Sequence, residues 1–266
     1  MGGALRWLAH WRRHADVAGD SVSSAHGQPY VRRGWRYTTL QFTGEVTQSR
    51  MLTLWPDVLQ VGYTRTMMAC LLLRPRPRSI GIIGLGGGSQ AKFCHRHLAD
   101  ARIEAVESHP GVLALRDAFR IPADGERFMA VLGDGARLLK QRRGRYDLLL
   151  VDAYDEHGFP PAMSSQSFYD DCRDALAEGG AMAINLYATD MRRHLVRLRR
   201  SFDGRVLVLD EPQMSNRVAF AWRDGQRRME SRDALALLPR PARRQLASSF
   251  ARLAMARQRH YDGGAG

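Results

Sequence analysis

Carboxylates stand where strand-like runs give way to small or polar residues: Glu107 after 103–106, Asp134 within Gly133-Asp134-Gly135-Ala136, and Asp152 and Asp155 after 148–151. Another apolar run, 80–83, leads into Gly84-Leu85-Gly86-Gly87-Gly88 and then a helix-like stretch, 89–98. Glycines at such a turn let the backbone approach a ligand, although a plain tight strand-to-helix turn has the same composition. An acid ending the next strand of a βαβ unit, here Glu107, can accept both ribose hydroxyl protons. Asp134 beside small residues can accept a hydrogen bond from an adenine amine, cap the helix through Leu138 and Leu139, or do both. Asp152 and Asp155 follow a strand whose carboxyl end should open on the crevice beside the glycine turn. Either can hold an attacking amine and take its proton, because an amine of pKa about 10 must lose that proton before it attacks carbon. A solvated loop is the alternative for Asp155 and Glu156.

Positioning these groups requires a particular set of elements. Strand-like runs at 79–84, 103–107, 129–132, 146–152 and 181–186 alternate with helical ones, which predicts an α/β fold with a parallel sheet and helices on both faces. The runs 206–209 and 218–222 are joined around Pro212 by too short a link for a crossover helix and should pair antiparallel. Upstream, 35–54 carries Tyr37, Thr38, Leu40, Phe42, Val46 and Met51 around Gly44 and predicts a small antiparallel sheet. The run 63–73 predicts a helix ending before Pro75 and Pro77, and 229–261 a helix broken near Pro239 and Pro241. The expected organisation is a leader or linker over 1–28, a β segment plus helix over 29–75, and one main domain over 76–266.

The formal charge of +13 and pI near 10.5 raise nucleic acid or an anionic surface as partners. Only Lys92 and Lys140 are lysines, and the arginines are spread from Arg6 to Arg259, so dispersed solvated charge is favoured over a binding stripe. Cys70, Cys94 and Cys172 are far apart, which suggests neither a disulfide framework nor a zinc knuckle and fits the cytoplasm. No secretory signal, myristoylation motif or membrane span is expected.

With five parallel strands and a terminal antiparallel pair, the chain resembles the class I methyltransferase-like, Rossmann-like fold shared by spermidine synthases. The glycine turn, Glu107, Gly133-Asp134-Gly135, the Asp152 to Asp155 loop, and Gly158, Pro160, Ser167, Phe168, Tyr169 and Gly179-Gly180 follow that family's order over roughly residues 36 to 225. The resemblance implies Asp152 as general base, Asp155 lining an amine channel, and Glu107 and Asp134 on ribose and adenine. It further implies cofactor contacts from Gly84, Gly86, Gly87, Gly88 and Gly135, substrate contacts from Tyr63, Ser89 and Tyr154, no metal, and a homodimer. The implied cofactor is decarboxylated S-adenosylmethionine or S-adenosylmethionine, and the implied partner a small-molecule amine.

The chain departs from the family at two places. Ser89 stands where an Asp usually fixes the aminopropyl end, and Tyr63 is followed by Thr64 and Arg65 where His and Glu are common. Each lost opposite charge in a partly dry site matters by roughly 1 kcal/mol or more, which disfavours a multiply charged amine. On ancestry, aminopropyl transfer is nevertheless the first expectation. Methyl transfer, supported by Ser89 and Arg65, is the second, and a non-catalytic binding protein of the same fold the third.

Overall fold

Several strands carry unbroken apolar runs instead of alternating, 148–151, 181–184, 206–209 and 218–222 among them, as suits a sheet covered on both faces. Tyr146–Val151 is buried at every position. In the computed structural model, which describes residues 27–43, 46–154, 159–187, 189–212, 214–225 and 229–262, those strands form a seven-stranded sheet. Its strands are β4 (Ser79–Ile83), β5 (Arg102–Glu107), β6 (Phe128–Leu132), β7 (Tyr146–Val151), β8 (Leu176–Leu186), β9 (Val206–Asp210) and β10 (Arg217–Trp222), in the order β6-β5-β4-β7-β8-β10-β9. The pairs β5–β6, β4–β5, β4–β7 and β7–β8 are parallel, and β10 runs antiparallel to both β8 and β9. Leu148 and Leu150 enter one core and Leu149 and Val151 the other, so alternate side chains of β7 hold helices on opposite faces.

The helices between these strands are α2 (Ser89–His97), α3 (Pro110–Ala114), α4 (Gly135–Leu139), α5 (Gln166–Ala175) and α6 (Met191–Ser201). They are preceded by α1 (Gly62–Met68) and followed by α7 (Ser231–Ala236) and α8 (Arg240–Asp262). The break between α7 and α8 falls at Pro239, while Pro241 lies in the first turn of α8, where its missing N–H leaves no helical bond unmade.

The expected helix over 63–73 divides into α1 and a tighter 3-10 turn, Ala69–Leu72, whose residues are all buried. The antiparallel sheet of β2 (Tyr37–Thr43) and β3 (Val46–Leu52) has a third strand, β1 (Tyr30–Arg33), that the sequence pattern did not single out. Four residues with two arginines give too short an alternation to register. β8 begins at Leu176, ahead of the apolar run from Ala181, because a register shift against β7 accommodates Gly179 and Gly180. The leader to residue 26 and Gly44 lie outside the described residues.

The N-terminal sheet shares a core with the main one, since Leu40, Met51 and the residues from Met67 to Leu73 pack with Ile80, Ile82 and Leu150. Lys92, one of the chain's two lysines, is buried and ties these parts together: its Nζ donates to the Phe119 carbonyl at 2.9 Å and meets the Met51 sulfur at 3.2 Å. Burial pushes its pKa down to about 7. No helix among the described residues is long and apolar enough to cross a membrane.

The order of the sheet reverses between β4 and β7, the position where open α/β sheets form a crevice. There Gly84 has φ +91°, and a Cβ on it would lie 2.3 Å from the Asp152 carbonyl oxygen. Gly84→Ala should therefore lower stability by about 2–4 kcal/mol. Gly144→Ala, at φ +61° with no atom within 4 Å of the added carbon, should cost only about 1–2 kcal/mol. Urea unfolding midpoints of the two variants test this contrast.

Candidate active site

Backbone hydrogen bonds at the carboxyl ends of four strands assemble the site. Gly84 N donates to Val106 O at 2.9 Å, Asp152 N to Ile83 O at 2.8 Å, and Gly133 N to Glu107 O at 2.9 Å. The ends of β4, β5, β6 and β7 are thereby held level. Gly135 brings α4 close to β4, since a Cβ on it would lie 2.3 Å from Ile83 Cγ2. A cavity of about 790 Å³ opens here, lined among others by Tyr63, Gly84, Gly86, Gly87, Ser89, Glu107, Gly135, Asp152 and Tyr154. Residues as far apart in the chain as Leu40 and Asn216 thus face one volume of the size that small-molecule sites occupy.

Asp152 is held in the cavity by two neighbouring side chains. Its Oδ1 accepts from Asn185 Nδ2 at 2.9 Å, and the Tyr63 side chain is also hydrogen bonded to it. Burial raises its pKa above the ordinary carboxylate value, while those two hydrogen bonds pull it back down. Burial together with the neighbouring Asp152 charge holds the Tyr63 hydroxyl protonated well past its usual range. Asp155 lies outside the described residues.

Glu107 is buried, and backbone donors take up much of its carboxylate. Oε2 accepts from Leu85 N at 3.0 Å and Gly86 N at 3.2 Å, and Oε1 accepts from His109 N at 2.9 Å. With two lone pairs per oxygen, Oε1 keeps the one free site for a cavity hydroxyl in this geometry. Glu107 therefore fastens the glycine turn to β5 as well as facing the cavity.

The other expected residues divide. Asp134 is exposed and caps α4, its Oδ1 accepting from Ala136 N at 2.8 Å and Arg137 N at 3.4 Å, while its neighbours Gly133 and Gly135 line the cavity. Gly88 is not among the lining residues and takes the left-handed conformation at the N-cap of α2. The Tyr154 ring faces the cavity, but its hydroxyl is occupied by the end of β8, through the carbonyls of Asn185 at 3.1 Å and Tyr187 at 3.2 Å and the amide of Tyr187. Arg65 does not line the cavity and donates to Leu59 O at 2.8 Å. Two positions past Tyr63 on α1 it points to another side, so the charge that the sequence places beside Tyr63 is not delivered to the ligand volume.

The cavity wall also contains groups that the sequence patterns did not mark, namely Gln90, Asn185, Arg193, His194, Arg197 and Asn216. Asn185 had a signal, a polar residue inside the apolar run of β8. The others sit on polar faces and loops where nothing in the local pattern separates them from solvated residues.

A Spermine/spermidine synthase domain profile matches residues 61–198. A polyamine aminopropyltransferase of Neisseria meningitidis serogroup A is 36% identical over 188 residues, which is 69% of this chain and 72% of that protein. The mouse eEF1A lysine and N-terminal methyltransferase is 28% identical over 131 residues, 46% of this chain and 19% of that one. Among solved structures, the spermidine synthase of Thermotoga maritima shares the fold with a TM-score of 0.61 at 16% identity, over 86% of this chain and 87% of that one.

The raised Asp152 pKa gives a stability test. Unfolded, the carboxyl ionises at its ordinary value, so as pH rises from there toward the folded pKa the native state loses stability relative to the unfolded chain. Asp152→Asn should accordingly melt higher than the parent at pH 7, with the difference shrinking as pH falls to about 4. Thermal denaturation at both pH values measures this.

Proposed function

The chain belongs to the spermine/spermidine synthase family, and on that footing we propose that it transfers an aminopropyl group from decarboxylated S-adenosylmethionine to a small-molecule amine. The observation that carries this reading is Asp152, held half-buried between Tyr63 and Asn185 in a cavity that it shares with the glycine turn and Glu107. The cavity suits an adenosyl group: glycine backbone forms one wall, and Glu107 Oε1 retains an acceptor site.

Decarboxylated S-adenosylmethionine supplies an electrophilic methylene beside a sulfonium. The chain's own groups do the remainder. Asp152 accepts a proton from the ammonium of the acceptor, and its raised pKa narrows the gap across which that proton moves. The freed nitrogen lone pair then bonds to the methylene carbon as the carbon–sulfur bond breaks, and its electrons remain on methylthioadenosine. Tyr63 and Asn185 hold the carboxylate so that the attacking nitrogen is aligned before reaction. The aromatic rings of Tyr63, Tyr154 and Phe159 keep the volume poor in water.

A second reading, methyl transfer from S-adenosylmethionine to an amine of a small molecule or protein, draws on Ser89. A neutral residue lines the cavity there, and the partial likeness to a lysine and N-terminal methyltransferase points the same way. One assay separates the two. With putrescine and each sulfonium in turn, the first reading expects methylthioadenosine from the decarboxylated form, and the second S-adenosylhomocysteine from the carboxylated form with an extract supplying acceptors. Under the first, Asp152→Asn should reduce kcat/KM by about 100-fold or more. Parent activity should fall as pH drops through an apparent pKa above the usual carboxylate value of about 3.9. Absence of methylthioadenosine at saturating enzyme with any diamine would remove the first reading.

A further inference from the structure

Behind Asp152 a chain of side-chain amides has a polarity that the carboxylate dictates. An ionised carboxylate only accepts, so Asn185 turns its NH2 toward Asp152 Oδ1 at 2.9 Å. That leaves the Asn185 carbonyl oxygen facing Asn216, whose own NH2 donates to it at 2.9 Å. The Asn216 oxygen is the end of the relay. Reversing Asn216 would set two amide oxygens against each other, and reversing Asn185 would set an oxygen against the carboxylate, so what the relay leaves over is an acceptor.

That oxygen has no hydrogen-bond partner among the described residues, although the Asn216 side chain belongs to a residue only 4% exposed that lines the cavity. A buried amide oxygen without a donor is unfavourable, and a ligand N–H placed there relieves it. The surroundings hold Asn216 firmly. Its backbone carbonyl accepts from Glu211 N at 2.9 Å, and the Glu211 carboxylate accepts from Thr66 Oγ1 at 2.7 Å and packs over Gly62. The link between β9 and β10 that carries Asn216 is thus fastened to α1, which carries Tyr63. The titratable groups around Asp152 itself are Tyr63 from α1 and Tyr154 from its own loop.

We propose that Asn216 determines specificity for the acceptor amine: its Oδ1 accepts an N–H of that amine, and through Asn185 the same side chain positions Asp152. The inference rests on the aminopropyl-transfer reading above. It makes a neutral amide oxygen, in addition to any carboxylate, a recognition element for the amine.

The test compares the parent with Asn216→Leu, similar in size without polar atoms, and Asn216→Ser, which keeps a small acceptor. Methylthioadenosine release is followed at saturating decarboxylated S-adenosylmethionine and varied putrescine, with calorimetric binding of methylthioadenosine as control. Asn216→Leu should raise the putrescine KM about tenfold while changing methylthioadenosine affinity less than about twofold. Its acid limb should move to higher pH, because a loosened Asn185 gives the carboxylate less support. Asn216→Ser should recover part of the lost KM. An unchanged KM and acid limb in Asn216→Leu would overturn the proposal, as would equal losses of methylthioadenosine and putrescine affinity that Asn216→Ser does not repair. If the parent itself releases no methylthioadenosine with any amine, the aminopropyl-transfer reading fails and this inference with it, so the two failures are distinct.

Discussion

The backbone carbonyl of Asp152 rests against Gly84 at a place where any side-chain carbon would stand 2.3 Å from it. Much else follows from this contact. It lets β4 and β7 run side by side to their carboxyl ends, with Asp152 N bonded to Ile83 O at 2.8 Å. It also puts the glycine turn and the acidic loop on the two sides of one crevice. Since the sheet order reverses between these strands, the chain leaves them in opposite directions, and the space between the departing loops becomes the cavity.

Into that space the fold directs an acid with mostly neutral company. Asp152 is bonded to an amide and a phenol, neither of which brings a positive charge to offset burial, so its pKa rises. The same burial that disfavours the charge makes the carboxylate more basic than an ordinary aspartate. A carboxylate of this kind lowers the stability of the folded chain above its ordinary pKa. Glu107 is held by backbone instead of side chains, with three N–H donors on its carboxylate.

The N-terminal segment completes the enclosure. Gln48, Ser49 and Tyr63 come from β3 and α1, yet they line the cavity with residues of the main sheet. Ser49 approaches so closely that a Cβ on Gly87 would lie 2.5 Å from its hydroxyl oxygen, and Lys92 binds the same strand from beneath through Met51. A wall of the cavity is thus built from a segment whose three-stranded sheet packs into the core of the main one.

The sequence by itself determined the strands of the main sheet, the antiparallel last pair, the glycine turn and the acids at the strand ends. Each of these is written in a local pattern: unbroken apolar runs for strands covered on both faces, glycine where backbone must approach backbone, and an acid at the first polar position after a strand. The tertiary structure decided how those residues are used. It made Asp134 a helix cap, directed Arg65 to Leu59 instead of the cavity, committed the Tyr154 hydroxyl to β8, and set Asn185 and Asn216 behind Asp152. Some of these assignments depend only on where a side chain points, and others on partners thirty or more positions away, as Asn185 is from both Asp152 and Asn216. Local periodicity reports which face of an element is buried; only the packed sheet fixes which polar groups meet there.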